Sequence, residues 1–297
     1  MDVQTFDAVV IGAGMAGATA AANLAMHGMR VALLEAEESA GYHATGRSAA
    51  IWILNYGSPD ARLLTAASRG FYESPPAGFC DAPLLSRRPM VTLAPHAELP
   101  ALERMIAEGV GIEPISLAEV AAMGPPLRPG YAAAAAIERE SFDIDVAALH
   151  AGYLRMLRAA GGTLATRHRA GRLEHDGAWR AETSGGATFT APVLVNAAGA
   201  WGDEVAALAG IAPIGLQPKR RTAIIVDPAP HDCAAWPLLG DVGHSWYVRP
   251  EARRKLMVSP ADETDSDPCD AQPEELDVAV AVDRMGTALD IPVRRVE

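Results

Sequence analysis

One run of residues near the N-terminus limits the choice of fold more than any other feature of the chain. Phe6-Asp7-Ala8-Val9-Val10-Ile11 reads as a short buried strand. Gly12-Ala13-Gly14-Met15-Ala16-Gly17 follows, and an alanine-rich helical stretch runs on to about His27, where Gly28 is a natural stop. Arg30-Val31-Ala32-Leu33-Leu34 reads as a second strand ending at Glu35. Strand, G-x-G-x-x-G, helix, strand and acid occur in the order a dinucleotide-binding unit needs. Gly12 permits the tight turn, Gly14 lets the backbone approach a pyrophosphate, and Gly17 lets the helix pack close to the strand. The helix start at Met15 and Ala16 offers free N–H groups and a positive dipole end. Glu35 can accept hydrogen bonds from both ribose hydroxyls and disfavours a 2′-phosphate, which argues against NADP. The motif does not separate FAD from NAD, and a glycine-rich turn in a nucleotide-free fold is its structural alternative.

Residues 8–26 carry no charge and could be mistaken for a membrane span. Asp2 and Asp7 precede them, where a signal peptide places Lys or Arg, and Thr19 and Asn23 interrupt the run, so no membrane span is expected. At 297 residues the chain has room for about two domains. Its net charge of −12 repels phosphate backbones, which argues against a nucleic-acid partner. Cys80, Cys233 and Cys269 lie far apart with no C-x-x-C pair, and the eight histidines show no H-E-x-x-H pattern. This set points to a reducing, cytoplasmic compartment and to no metal site.

Further along, residues 143–160 read as a helix with Asp145 as its N-cap and Gly161-Gly162 as its end. Residues 163–169 then read as a strand, and residues 179–182 and 187–190 as a hairpin around Ser184-Gly185-Gly186. The apolar residues 192–197 should join the parallel sheet beside the first strand. Residues 219–226 read as one strand with Lys219, Arg221, Ala223 and Ile225 on a common face. In Ser245-Trp246-Tyr247-Val248-Arg249, Trp246 and Val248 share one face and Tyr247 takes the other. Two such antiparallel strands could present Arg221 and Tyr247 to one pocket. Residues 262–270, acidic and containing Pro268, read as a flexible loop.

After Glu35 and Ala36 comes Gly41-Tyr42-His43-Ala44-Thr45-Gly46-Arg47-Ser48-Ala49-Ala50, a glycine-containing loop suited to a long cofactor that continues past the first crossover. This stretch resembles the corresponding loop of the FAD-dependent D-amino-acid oxidase and glycine oxidase superfamily. More narrowly, it is similar to bacterial D-arginine dehydrogenase and its D-amino-acid dehydrogenase relatives. Val193-Leu194-Val195-Asn196-Ala197-Ala198-Gly199-Ala200-Trp201 and Gly215-Leu216-Gln217-Pro218-Lys219-Arg220-Arg221 carry the likeness too, as do residues 63–69, 75–80, 259–261 and 272–277. The alanines 132–136 favour a helix by propensity, but Gly130 and the resemblance favour a strand, and strand is the reading adopted.

The resemblance implies an α/β protein, α+β overall, with a Rossmann-like FAD-binding domain built on a parallel sheet and interrupted by a β-rich substrate-binding domain. The expected division is residues 1–75 and 141–208 for FAD and 76–140 and 209–297 for substrate. FAD contacts are expected from Thr45, Gly46, Arg47, Ser48 and Ala49, besides the glycine motif, Glu35 and Ala36. Ala170, Ala198, Gly199 and Trp201 are expected to complete them. Arg221 is expected to bind a substrate carboxylate, with Tyr56 and Tyr247 as pocket tyrosines. The implied reaction is oxidative deamination of D-amino acids to 2-oxo acids and ammonia, by hydride transfer from Cα to flavin N5. Oxygen or a quinone would accept the electrons.

Two departures from that pattern matter. The family's pocket carboxylate follows an Arg-Pro pair, whereas here Arg88-Pro89 is followed by Met90, and a pocket His and Thr fall on Ile51 and Ile53. Such a pocket should prefer neutral or apolar D-amino acids over D-arginine, because an unpaired guanidinium is costly to bury. The chain also ends at Glu297, before the family's last strand and helix, so a fragment or a truncated form is expected. Alternative readings are a glycine, sarcosine or 2-hydroxy-acid oxidoreductase, a nucleotide-binding protein without catalysis, or an NAD-only enzyme.

Overall fold

In the computed structural model, which describes residues 3–296, the strands Ala8–Ile11 and Val31–Leu34 are buried along their whole length. Parallel strands covered on both faces must be so. They lie side by side in a four-stranded parallel sheet, ordered Thr163–Ala165, Val31–Leu34, Ala8–Ile11, Val193–Asn196. Period-two alternation sorts their side chains between two cores. Ala8, Val10, Val31 and Leu33 pack on the helices Met15–Met26 and Val146–Ala159. Val9, Ile11, Ala32 and Leu34 pack against Leu173, Ala181 and Phe189 of a second sheet. That sheet joins Val3–Thr5, Thr188–Ala191, Ala178–Thr183 and Ala170–Asp176.

A seven-stranded mixed sheet forms the other half of the molecule. Its order is Ile224–Val226, Lys255–Ser259, Tyr247–Glu251, Leu238–Asp241, Met90–Ala94, Ala134–Glu138, Ile112–Ile115. Ala134–Ala136 thus lie in a strand, held between two antiparallel neighbours that override helix propensity, while Ala132 and Ala133 precede it. One face, with Val91, Ile137, Leu239, Val248 and Val258, packs on the helix Glu275–Ala288 through Ala281, Met285 and Ala288. The opposite face is the floor of the cavity described below. A three-stranded sheet of Ile51–Trp52, Phe142–Ile144 and Leu85–Arg87 joins the two halves.

Four local expectations need correction. The helix predicted from residue 143 begins at Val146, because Phe142–Ile144 is a strand and Asp145 caps the helix by accepting from Ala148 N at 2.8 Å. The strand predicted over 163–169 stops at Ala165, and Arg167, at φ +60°, turns the chain away. Residues 219–226 form two pieces, Lys219–Arg220 and Ile224–Val226, with different partners. Thr222 separates them by donating its N–H and hydroxyl to Asp262. Within the loop read over 262–270, Thr264–Asp265 pairs with Lys219–Arg220. Among the described residues no helix is long and apolar enough to cross a membrane.

Candidate active site

The glycine motif forms one wall of a cavity of about 1760 Å³, larger than the ~300–1,000 Å³ of an ordinary small-molecule pocket. Gly12 turns the chain at φ +98°, and a Cβ there would meet Ala197 O at 2.4 Å. A Cβ on Gly17 would sit 1.7 Å from Gly12 O, so this glycine closes helix on turn and lies behind the wall. Gly14 instead opens onto the cavity, where a Cβ would meet only Thr45 Oγ1, at 3.2 Å. Met15 N donates to Thr45 Oγ1 at 2.9 Å, and the N-cap residue itself, Gly14, has no side chain to occupy the other first-turn donors. The first-turn N–H groups at Ala16 and Gly17 have no partner within the helix, as at any helix start. With the positive dipole end, this is the donor set a pyrophosphate needs.

The strand Val31–Leu34 delivers Glu35 to the same wall, 9% exposed, accepting from Ala13 N and Glu37 N, each at 3.0 Å. Each carboxylate oxygen keeps further lone-pair capacity, so ribose hydroxyls can still be accepted. Ala36 and Ala170 line this end. The turn after Val193–Asn196 brings Ala198, Gly199 and Trp201 to the cavity. His43, not singled out by the sequence, packs its ring 4.5 Å from that of Trp201 and meets Glu37 Oε1 at 3.1 Å. Of the following loop, Thr45, Arg47, Ser48 and Ala49 line the cavity. Gly46 lies behind it, where a Cβ would strike Gly41 O at 2.7 Å. Arg47 pairs with Asp270 and donates to Ala271 O at 3.0 Å, and this contact holds the Asp270 carboxyl below the usual range. The residues present therefore fit a bound dinucleotide.

At the other end of the cavity the floor is the front face of the seven-stranded sheet. Alternation brings Met90, Thr92, Ala136, Glu138, Tyr247 and Met257 to it. Ile51 and Ile53 line the side wall, and Tyr56, 59% exposed, stands at the mouth. Arg221 also lines the cavity, from the break between the two strand pieces, and pairs with Glu263 at 3.0 Å. Arg221, Tyr56 and Tyr247 thus face one space, although Arg221 is not on a strand beside Tyr247. Glu138 was missed by the sequence reading. It is 6% exposed and directly opposite Met90, and its Oε1 accepts from Leu54 N at 3.1 Å. Burial pushes its carboxyl up, against hydrogen bonds from Asn55 and Leu54 that favour the charged form. The two-residue period of the strand puts Glu138 on the Ala136 face, a signal available before the structure.

The sequence matches the family described as FAD dependent oxidoreductase (DAO) over residues 7–289. It is 29% identical over 280 residues to the tRNA 5-methylaminomethyl-2-thiouridine biosynthesis bifunctional protein MnmC of Burkholderia thailandensis. That alignment takes in 89% of this chain and 41% of the relative, so the chain spans about two fifths of that protein's length. Among solved structures, the fold is similar to glycine oxidase from Geobacillus kaustophilus, with a TM-score of 0.81 at 18% identity, covering 99% of this chain and 81% of that one. L-α-glycerophosphate oxidase from Mycoplasma pneumoniae with FAD bound gives 0.82 at 16% identity, covering 96% and 79%. Iminodiacetate oxidase from a Chelativorans species gives 0.75 at 23%, covering 98% and 82%. With a dinucleotide cradle built by residues 12–35 and a family match across nearly all of the described fold, the chain belongs to the FAD-dependent oxidoreductases, and its cofactor is FAD.

Proposed function

We propose that the chain oxidises free D-amino acids to 2-oxo acids and ammonia. The observation that carries this reading is that Arg221, Tyr56 and Tyr247 all line the cavity that the glycine motif also walls. A planar guanidinium suits a carboxylate, and two tyrosines lining the same cavity can orient the substrate at low entropic cost. FAD, when bound, supplies the two-electron acceptor for oxidation at Cα, while the protein supplies position and electrostatics. Arg221 anchors the carboxylate, Tyr247 supports the substrate from the floor, and Tyr56 covers it at the mouth. The imino acid formed takes up water and releases ammonia. We assign FAD binding to residues 1–75 and 141–208 and substrate binding to 76–140 and 209–297.

Ile51, Ile53 and Met90 give the side-chain pocket apolar walls, and we propose neutral side chains over D-arginine. The net charge of −12 favours a small molecule over an RNA as substrate. Three unpaired cysteines suit a reducing, cytoplasmic setting. Oxygen or a quinone would reoxidise the cofactor.

The test is anaerobic absorbance of the FAD-loaded protein on addition of D- and L-amino acids. Bleaching of the flavin bands by D-leucine or D-methionine, but not by their L-forms, is expected. Equal bleaching by L-forms, bleaching by 2-hydroxy acids alone, or D-arginine as the best substrate would overturn the corresponding part of the reading.

A further inference from the structure

Two short arms of opposite charge meet at the rim of the cavity. Lys219–Arg220 runs antiparallel to Thr264–Asp265, with Lys219 opposite Asp265 and Arg220 opposite Thr264. Side chains continue the same reversed order. Arg221 Nη1 donates to Glu263 Oε1 at 3.0 Å, and Thr222 donates to Asp262 from its N–H at 2.7 Å and its hydroxyl at 2.9 Å. Ala261 makes this return possible with a φ of +51°, a left-handed conformation uncommon for a residue with a side chain.

The other charges on the arms are committed elsewhere. Arg220 is held by Glu274 and by Asp277, Lys219 by Asp265, and Asp262 by Thr222. Arg221 and Glu263 are left as a cation–anion pair that lines the cavity. Their side chains are 41% and 64% exposed, so the pair is easily opened by an entering ligand.

We propose that Arg221 and Glu263 together recognise the zwitterion of an α-amino acid. The guanidinium takes the carboxylate and the Glu263 carboxylate takes the α-ammonium, which makes Glu263 the residue that separates amino acids from 2-hydroxy acids. This rests on the amino-acid reading above. The two charges of an α-amino acid sit on neighbouring carbons, so laid against the pair they alternate in sign around a square. A 2-hydroxy acid or a simple carboxylate brings only negative charge, and Glu263 repels it. Discrimination then comes from a penalty on the wrong ligand as well as attraction for the right one.

The test uses the FAD-loaded protein and its Glu263→Gln variant, with D-leucine, 2-hydroxy-4-methylpentanoate and 4-methylpentanoate as probes. Binding is read anaerobically from the perturbation of the flavin spectrum by the carboxylates and from the concentration dependence of the bleaching rate for D-leucine, so it does not depend on turnover. E263Q should weaken D-leucine about tenfold, the scale of a close charge pair, and should tighten both carboxylates that lack the amine. Glu263→Asp keeps the charge and should keep the wild-type order of preference. Equal weakening of all three probes in E263Q would mean that Glu263 only positions Arg221, and unchanged binding of all three would make the pair a solvated rim contact. Either result overturns the proposal. D-leucine that binds to the wild type without bleaching would refute oxidation, while the contrast between probes would still decide the role of Glu263.

Discussion

At the scale of single residues, Gly14 and Gly17 carry different burdens within one motif. A methyl group on Gly17 would collide with Gly12 O, a backbone atom that cannot yield, whereas one on Gly14 would meet only a side-chain hydroxyl. Gly17→Ala should therefore cost about 1–3 kcal/mol of stability and lose FAD as well. Gly14→Ala should melt like the wild type yet bind FAD more weakly, because the methyl group stands where the phosphates approach. Melting curves and flavin content of the two variants check this, and an equal loss of stability in both would refute it. Glu138 supports a prediction about pH. Its carboxyl is pushed up by burial, so the folded state holds a proton that the unfolded chain releases near its ordinary value of about 4.3. Its contribution to stability is full below that value and is lost as pH rises through the folded one. Glu138→Gln keeps an acceptor for Leu54 N and has no such loss. The melting temperature of E138Q relative to wild type should increase between pH 4.5 and pH 7.5, and a difference independent of pH would count against the assignment.

At the scale of elements, the strands and helices that could be read from sequence were those whose pattern is settled by local burial. The fully buried Ala8–Ile11 and Val31–Leu34, the helix Met15–Met26 ended by Gly28 at φ +88°, and the hairpin around residues 184–186 are of this kind. Their apolar periodicity and turn chemistry are contained in a dozen residues. Residues 219–226 were misread because their alternation is real while their partners are distant in sequence: Glu263 and Asp262 draw Arg221 and Thr222 out of the ladder. Likewise nothing local to Asp143 shows that it belongs to a strand. Its carboxylate lies between Arg88, at 2.5 Å, and Arg249, at 3.1 Å, with all three side chains largely buried. Of the site, the glycine cradle was legible for the same reason as its strands, whereas for Glu138 the strand period gives the face and only the sheet shows that this face lines the cavity. The Asp143 contact ties the three-stranded sheet to the seven-stranded one. Without Asp143, Arg249 keeps Glu251 but Arg88 keeps only the Trp236 carbonyl, so Asp143→Ala leaves a largely buried guanidinium without a counter-charge and should cost about 3 kcal/mol in chemical denaturation. A loss below about 1 kcal/mol, the scale of an exposed pair, would show that this junction is solvated.

At the scale of the whole molecule, the cavity is a joint between two halves. The parallel-sheet half supplies residues 12–16 and 35–36, and the seven-stranded sheet supplies the floor. A ligand filling that space binds only when both halves are folded and apposed, so it should stabilise both together. At a free FAD concentration a hundred times its Kd, linkage gives ~2.7 kcal/mol, which for a chain of this size is a rise of about 5 °C in a single transition. One further contact crosses the mouth. Arg47, on the loop beside the helix start, pairs with Asp270 from the segment that follows the acidic arm, and Tyr42 OH also reaches Asp270, at 3.4 Å. Arg47 lines the cavity together with Thr45 and Ser48, and Cys269 and Ala271, on either side of Asp270, line it from the far segment. Both charged side chains are well exposed, so Asp270→Asn should leave the melting of the FAD-free protein unchanged. It should instead reduce the FAD-induced rise and speed loss of flavin on dilution, because the segment no longer closes over the cofactor. If D270N lowers the FAD-free transition and leaves the FAD-induced rise intact, the pair supports the fold and plays no part in retaining the cofactor.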